Sequence, residues 1–363
     1  MTFYVVLWII VMVLGVDFYF FHKLPSKKMF VLLISFLSCI VGARGEYVGA
    51  DTWNYVYFYD TGIAPDKNTG MYEPIFMLIR YICYHLGFTH FLFFFILTFS
   101  SLYILYLVTK ELRINNYYMS FFIYFSIVFL SYQFNTIRTG VMASLIWLAF
   151  VYKIKGMEKK SIITMIIAAG FHLVALIFIP MLFFIHREFV KKIVVWLIIV
   201  ALFCVFLRLG ERLIALFPIL NEIDRVAGYI NVDESHSYGL TLGTIVNIVL
   251  FLYMYLYYNN SYKNMVEFRV ILNSMLLAFM VVCVFNSFHA IVTRVGQVLN
   301  LSLMFVWPLF INRLRLIPLK MLTVLFLILY LWLYYSKGLE ATSSSTQRLT
   351  LIPYIWDFNG LFR

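Results

Sequence analysis

The sequence predicts an all-α polytopic membrane protein. Of its 363 residues, 63% are hydrophobic and only 12% are charged, and the mean hydropathy is +0.91. A water-soluble domain carries about a quarter charged residues, so the composition excludes a soluble globule. The apolar residues fall into runs long enough to cross the hydrocarbon core as helices, which satisfy their own backbone hydrogen bonds there.

About ten of these runs are predicted to be spanning helices. The first is interpreted as a retained helix and not a removed signal, because no short apolar core with a small-residue cleavage site opens the chain. In chain order, the predicted spans are about 2–21, 28–43, 90–109, 117–134, 138–154, 193–209, 241–258, 270–286, 295–311 and 321–335. We expect a single integral membrane domain over 1–363, since no repeat or linker interrupts these runs.

The basic residues predict the orientation of the chain. More than half of the 28 Lys and Arg residues fall in six short loops that hold few acidic residues, and the positive-inside rule assigns such loops to the cytoplasmic side. The polar segments 44–72 and 210–240, the tail 336–363 and both termini are then on the outer side. The net charge of +11 is dispersed among apolar runs, so no nucleic-acid partner is predicted.

Two further apolar segments are predicted not to cross the membrane as single helices. Segment 73–88 is short and contains charged residues, which predicts an amphipathic helix at the outer interface. Segment 161–185 lies between two basic loops, and a hairpin of two short helices that breaks near Gly170-Phe171-His172 keeps both loops inside. Irregular backbone at membrane depth is tolerated where it is buried in protein or lines a water-filled cavity, so we expect His172 to face a cavity.

Unexpected polar residues gather on the predicted outer side. Charges near membrane depth are costly and are usually paired or functional. Repeated cations on a concave, partly dry surface indicate recognition of an anion, and the planar fork of Arg suits phosphate. The residues concerned are Arg44, Asp51, Glu73, Gln133, Asn135, Arg138, His172, His289 and Arg294.

Each of these residues has a structural alternative when it is taken singly. An arginine at a helix end can snorkel to the interface, a buried histidine is often a satisfied core residue, and a loop carboxylate is often only solvated or paired with a nearby arginine. Snorkelling does not explain three arginines, Arg44, Arg138 and Arg294, on the side disfavoured for cations. Taken together, the residues favour an anion site.

Several short motifs resemble the EpsG-like branch of the Wzy-type polysaccharide polymerases. They are Arg44 with Gly49-Ala50-Asp51-Thr52 and Tyr55, Glu73-Pro74, Asn135 with Ile137-Arg138, Phe171-His172, Arg294 and Pro353-Tyr354. The resemblance covers nearly the whole chain in the order of the family. The chain departs from the pattern at Thr139, where Gln is common, and at 173–175, which lack the polar residue often found after the histidine.

The resemblance implies a GT-C-like enzyme of the bacterial inner membrane. Such an enzyme joins oligosaccharide repeat units carried on undecaprenyl diphosphate at the outer, periplasmic face, for O-antigen of lipopolysaccharide, capsule or exopolysaccharide. Its partners would be the lipid-linked donor and acceptor, the lipid bilayer, and as candidates a chain-length regulator and a flippase of the same pathway. The donor diphosphate bond supplies the energy, so no cofactor is expected.

The resemblance also implies roles for the candidate residues. Arg138 and Arg294, with Arg44 as a third candidate, would hold the donor diphosphate and stabilise the charge that develops on it. One of three residues would accept the proton of the acceptor hydroxyl, with inversion at the anomeric carbon: Asp51, Glu73 or His172. His172 is favoured because its ordinary pKa lies closest to neutrality. The predicted substrate-binding residues are Arg44, Thr52, Gln133, Asn135, His289 and Tyr354.

Metal-independent chemistry is predicted. A divalent ion on a diphosphate normally needs one or two carboxylates beside it, and the first outer loop holds no Asp-x-Asp pair. The acidic residues of 210–240 fit no ligand pattern, and the four cysteines are scattered in apolar runs.

Two rival functions remain open. A flippase or transporter for the same lipid predicts polar residues on both sides and internal pseudo-symmetry, and the sequence shows neither. An O-antigen ligase or a membrane acyltransferase would differ in its acceptor.

Overall fold

The structure, a computed structural model, is all-helical. It describes residues 1–20, 26–63, 72–210, 212, 241–258, 265–285, 288, 291–343, 351 and 354–357. Of these described residues 81% are helical and none lies in a strand. Most of the predicted outer segment 210–240, part of 44–72 and much of the tail 336–363 lie outside the described residues.

The helices divide between two compact units, Met1–Phe178 with Trp307–Arg363, and Ile179–Val306. The first unit contains α1 Thr2–Phe20, α2 Lys27–Gly42, α3 Thr52–Thr61, α4 Pro74–His85, α5 His90–Glu111, α6 Tyr117–Tyr124, the π-helix Phe125–Asn135, α7 Ile137–Ile154, α8 Glu158–Ala169 and the 3-10 helix Leu173–Phe178. The second contains the 3-10 helix Pro180–Phe183, α9 Lys191–Leu207, α10 Leu242–Tyr253, the π-helix Met254–Tyr258, α11 Val266–Val284, the π-helix Val292–Gly296 and α12 Gln297–Asn300. Helix α13, Leu303–Arg313, crosses into the first unit, which ends with α14, Ile317–Ser343. The prediction of one membrane domain over the whole chain stays a prediction.

Six helical stretches of the described chain are long and apolar enough to span a membrane. They are His90–Glu111, Tyr117–Asn135, Ile137–Ile154, Val266–Val284, Val292–Arg313 and Ile317–Leu339. The other four predicted spans correspond to α1, α2, α9 and α10, which are helical but are not among these six. Membrane character is therefore established, whereas the count of about ten spans and the GT-C-like architecture stay predictions.

The π-helix Phe125–Asn135 packs against several helices of the first unit. Eight of its eleven residues are buried. The indole N–H of Trp8 in α1 donates to Ser126 Oγ at 2.9 Å, and the ring of Tyr335 in α14 stacks on Phe125 with 5.8 Å between centroids. These contacts join α1 and α14, from opposite ends of the chain, to the π-helix. In contrast, Leu325, Leu329 and Leu333 of α14 are more than half exposed, as expected of a helix face that contacts lipid.

The predicted break in segment 161–185 is confirmed. Helix α8 ends at Ala169, and a 3-10 helix begins at Leu173. The Gly170 carbonyl accepts the amide N–H of Ile75 at 3.0 Å and of Phe76 at 3.2 Å. A Cβ on Gly170 would lie 2.4 Å from Ile75 Cγ1, so only glycine permits the first turn of α4 to pack here. The N-terminus of α4 is thereby held against the break.

Candidate functional site

The end of the π-helix Phe125–Asn135 is enclosed by the segment that follows α2. A π-helix bonds each carbonyl to the N–H five residues later, so its last carbonyls need partners from elsewhere. Thr52 Oγ1 shares its proton between the carbonyl oxygens of Val48, at 2.6 Å, and Phe134, at 3.2 Å. The amide N–H of Ala50 donates to Asn135 Oδ1 at 3.0 Å. Two segments more than eighty residues apart in the chain are thus joined by polar contacts.

Arg44 supplies the third contact to this helix end. Its Nη1 donates to the Gln133 carbonyl oxygen. Its Cζ lies 4.5 Å from the ring centroid of Phe94 and 5.5 Å from that of Phe134, positions that provide cation–π attraction. The residue is 0% exposed, and its Nε and Nη2 have no hydrogen-bond partner among the residues that the structure describes. Burial lowers the pKa of Arg44 to about 10, which still leaves it a cation at neutral pH.

Glycine is required at position 49 for this enclosure. Gly49 has a φ of +97°, which L side chains rarely adopt, and a Cβ there would lie 2.4 Å from the Phe134 carbonyl oxygen. The absence of a side chain therefore permits both the turn and its close approach to the π-helix.

Gln133 is buried in the same region. Its Nε2 donates to the Tyr124 hydroxyl at 2.8 Å and to Ser101 Oγ at 3.3 Å. Ser101 Oγ in turn donates to the Gly140 carbonyl at 3.0 Å. Gln133 makes these contacts inside the helix bundle, and its role in substrate binding stays a prediction.

Arg138, in the first turn of α7, forms an ion pair with Glu73. Its Nη1 contacts Glu73 Oε2, and the two side chains are only 19% and 10% exposed. Aromatic rings enclose the guanidinium: Cζ lies 4.3 Å from the centroid of Tyr72, 5.6 Å from Phe76 and 5.8 Å from Tyr55. The guanidinium also donates to the hydroxyl of Tyr55, whereas its Nε is buried and has no hydrogen-bond partner in the described part of the chain.

Glu73 also links this pair to the predicted break. Its Oε1 accepts the amide N–H of Leu173 at 3.4 Å. The neighbouring His172 is 7% exposed, and its Nδ1 accepts the amide N–H of Val174 at 3.3 Å. That contact places the proton of a neutral ring on Nε2. Arg138, Glu73 and His172 are therefore brought to one locality from three segments.

A C-terminal segment covers the Arg44 turn. Trp356 forms an antiparallel bridge with Arg44; Gly45 N–H donates to the Ile355 carbonyl at 2.7 Å, and Asp357 N–H to the Ala43 carbonyl at 2.9 Å. Tyr354 donates its hydroxyl to the Ile40 carbonyl at 2.5 Å. Predicted to bind substrate, Tyr354 makes a tertiary contact to α2.

The other predicted residues are placed as follows. Asp51 precedes α3, is partly buried, and acts electrostatically on Arg44. Arg294 is partly buried in the π-helix Val292–Gly296 of the second unit. His289 lies outside the described residues, as do Glu222, Asp224, Asp233 and Glu234. Among the residues that the structure does describe, no three His, Cys, Asp or Glu side chains are grouped as metal ligands would be.

Three phenylalanines that contact the two arginines were not predicted from the sequence: Phe76, Phe94 and Phe134. The chain contains 38 Phe residues, so composition does not distinguish these three. Phe134 lies between the polar residues Gln133 and Asn135, and this position is the sequence feature that could have indicated it.

Comparison with known proteins identifies the family. No curated protein and no solved structure matches the chain. The EpsG family matches it over residues 27–356, a range that contains all the contacts of Arg44, Arg138 and Glu73 described above. The chain therefore belongs to the EpsG family, and this membership indicates a membrane protein of the polysaccharide polymerase type.

Proposed function

We propose that this protein polymerises oligosaccharide repeat units linked to undecaprenyl diphosphate, at the outer face of the bacterial inner membrane. The acceptor hydroxyl attacks the anomeric carbon of the growing chain, and the bond from that carbon to the diphosphate oxygen breaks. The electron pair leaves with the lipid diphosphate, and the acceptor proton passes to a side chain. The reaction would invert the anomeric carbon.

The Arg138–Glu73 pair in its aromatic enclosure carries this proposal. Two fixed charges with little solvent around them interact more strongly than they would in water. A diphosphate that approaches Arg138 would replace Glu73, because its oxygens can accept two parallel guanidinium N–H bonds. The Arg138 side chain is 19% exposed, so an anion can reach its guanidinium, in contrast to that of the fully buried Arg44. The role expected for Arg294, which belongs to the second unit, stays a prediction, and no metal would be needed.

The same exchange would provide a proton acceptor. Glu73 released from Arg138 is a free carboxylate next to the leaving group, and Asp51 is the alternative carboxylate. His172 is less suited, because its Nδ1 already accepts the Val174 amide and the other ring nitrogen then carries the proton. We therefore propose that Glu73, in preference to Asp51 and His172, accepts the proton of the acceptor hydroxyl.

The test is reconstitution in lipid nanodiscs with a synthetic undecaprenyl-diphosphate repeat unit, followed by gel analysis of the products. We expect a ladder of lengths without added nucleotide or metal, and its loss in Arg138→Met. Lys153→Met is the matched control: it removes a cation paired with Glu158, at 2.6 Å, from the other end of α7, and should keep the ladder.

Other outcomes would favour a different function. Movement of the lipid-linked unit between leaflets without elongation would indicate a flippase, and transfer only to lipid A-core would indicate a ligase. An Arg138→Met protein that is folded and forms a normal ladder would exclude the proposed diphosphate site.

A further inference from the structure

We propose that Arg44 is a positioning residue: it holds the end of the π-helix Phe125–Asn135 and thereby places Arg138, without itself touching the substrate. This inference rests on the proposed function for its catalytic test, and it has a structural test that does not. It replaces the expectation that Arg44 binds the diphosphate directly.

The position of Arg138 depends on the π-helix end through very little chain. The π-helix ends at Asn135, α7 begins at Ile137, and Arg138 is its second residue. Thr136 alone separates the two helices, and its amide N–H donates to the Ser131 carbonyl at 2.8 Å. A displacement of the last π-helical turn would therefore be passed directly to Arg138.

Arg44 is the charged member of the group that fixes this turn. Its guanidinium bonds the Gln133 carbonyl, while Thr52 and Ala50 bond Phe134 and Asn135. Charge-assisted hydrogen bonds are about twice as strong as neutral ones. Among these three contacts, that of Arg44 is therefore expected to contribute the most.

Burial argues against direct binding of a phosphate by Arg44. The residue is 0% exposed, with aromatic rings of Phe94 and Phe134 against its guanidinium and the bridge to Trp356 at its backbone. A ligand would have to displace this packing to reach it. Burying a cation costs desolvation free energy. A need to hold the π-helix end in place, and with it Arg138, would explain why a cation is buried here.

The test compares turnover with anion binding in the purified full-length protein. Arg44→Met should lower kcat roughly a hundredfold, the scale on which a misplacement of about 1 Å slows a reaction. The affinity for inorganic pyrophosphate should change much less than in Arg138→Met, and Arg44→Lys, which retains a charged donor, should recover part of the turnover. In an Arg138→Met background, Arg44→Met should cause no further change in pyrophosphate affinity, because the effects of residues that act through one another are not additive.

Arg80→Met is the matched control. Arg80 also donates to a backbone carbonyl, that of Tyr59 at 2.8 and 2.6 Å, and lies 4.5 Å from the Tyr84 ring. The first contact joins α4 to α3 and the second lies within α4; among the described contacts of Arg80, none is a hydrogen bond to the π-helix. Its loss should lower thermal stability without reproducing the kcat defect.

Amide hydrogen exchange tests the positioning independently of activity. Arg44→Met should accelerate exchange at Thr136 and Gly140, whose N–H groups bond Ser131 and Thr136, and Arg80→Met should not. If Arg44→Met does not fold, Thr52→Val tests the same helix end, with smaller changes in the same direction. Loss of pyrophosphate affinity equal to that of Arg138→Met, or unchanged exchange at 136–140, would overturn the inference. Absence of polymerisation with accelerated exchange would refute only the proposed function.

Discussion

Alanine at position 49 should separate the turn from the π-helix. A residue with a side chain in the left-handed region costs roughly 1–2 kcal/mol. At Gly49 the added Cβ would also lie 2.4 Å from the Phe134 carbonyl oxygen and 2.9 Å from Asn135 Oδ1. The first neighbour is backbone, so the turn itself must move, and overpacking of this kind adds about 1–3 kcal/mol. We therefore expect Gly49→Ala to destabilise the first unit by about 2–5 kcal/mol.

Gly87→Ala isolates the contribution of the contact. Gly87 also has a positive φ, +73°, but nothing lies within 4 Å of its missing Cβ. It should therefore cost only the backbone strain, about 1–2 kcal/mol. Thermal unfolding of the two variants in the same detergent gives the comparison, and hydrogen exchange at 136–140 gives the location of the effect.

The result that refutes this reasoning is equal destabilisation by the two alanines. Equal exchange at 136–140 in Gly49→Ala and the unsubstituted protein would refute the coupling of the turn to α7 even if stability falls.

Four other perturbations have definite expected outcomes. Glu73→Gln leaves Arg138 without its anion, so pyrophosphate should bind roughly tenfold more tightly by calorimetry while turnover falls; weaker binding would contradict the exchange of Glu73 for phosphate. Gly170→Ala places a Cβ 2.4 Å from Ile75 Cγ1 and should lower both the thermal midpoint and turnover. Gly338→Ala, whose Cβ would have no described atom within 4 Å, should lower neither the midpoint nor turnover. Tyr354→Phe removes the bond to the Ile40 carbonyl and should cost about 0.5–1.5 kcal/mol of stability with KM unchanged; a raised KM would instead support sugar binding. EDTA should not slow polymerisation, and a loss of turnover that magnesium restores would show that a metal is needed.

Several features of the fold were predictable because they are local. The helices Ile137–Ile154 and His90–Glu111 follow from uninterrupted apolar runs, which need only their own backbone to form hydrogen bonds. The break near Gly170–His172 was predictable because a single span over 161–185 would place one of the two flanking basic loops on the outer side. The irregular helix at Phe125–Asn135 was not, since its π geometry depends on contacts with other elements at its end.

The sequence indicated candidate site residues but not the contacts that they make. Arg44 and Arg138 were both expected to hold phosphate; in the structure Arg44 is enclosed by phenylalanine rings and Arg138 is paired with Glu73. Gln133 and Tyr354 each form a hydrogen bond to a neighbouring part of the bundle, and their roles in substrate binding stay predictions. The type of a side chain determines which interactions a residue can make, whereas tertiary packing determines which partner lies within reach of it.

The sequence by itself determined the class of protein, the positions of most helices and the residues whose charge is unexpected in an apolar chain. Hydropathy acts over a single segment, so these conclusions need no knowledge of neighbours. Only the tertiary structure decided that Arg138 meets Glu73, 65 residues earlier, and that Arg44 meets Gln133, 89 residues later. Such pairings depend on how helices pack, because an apolar helix can present the same arginine to lipid, to an aromatic ring or to a carboxylate, and its own sequence is compatible with all three.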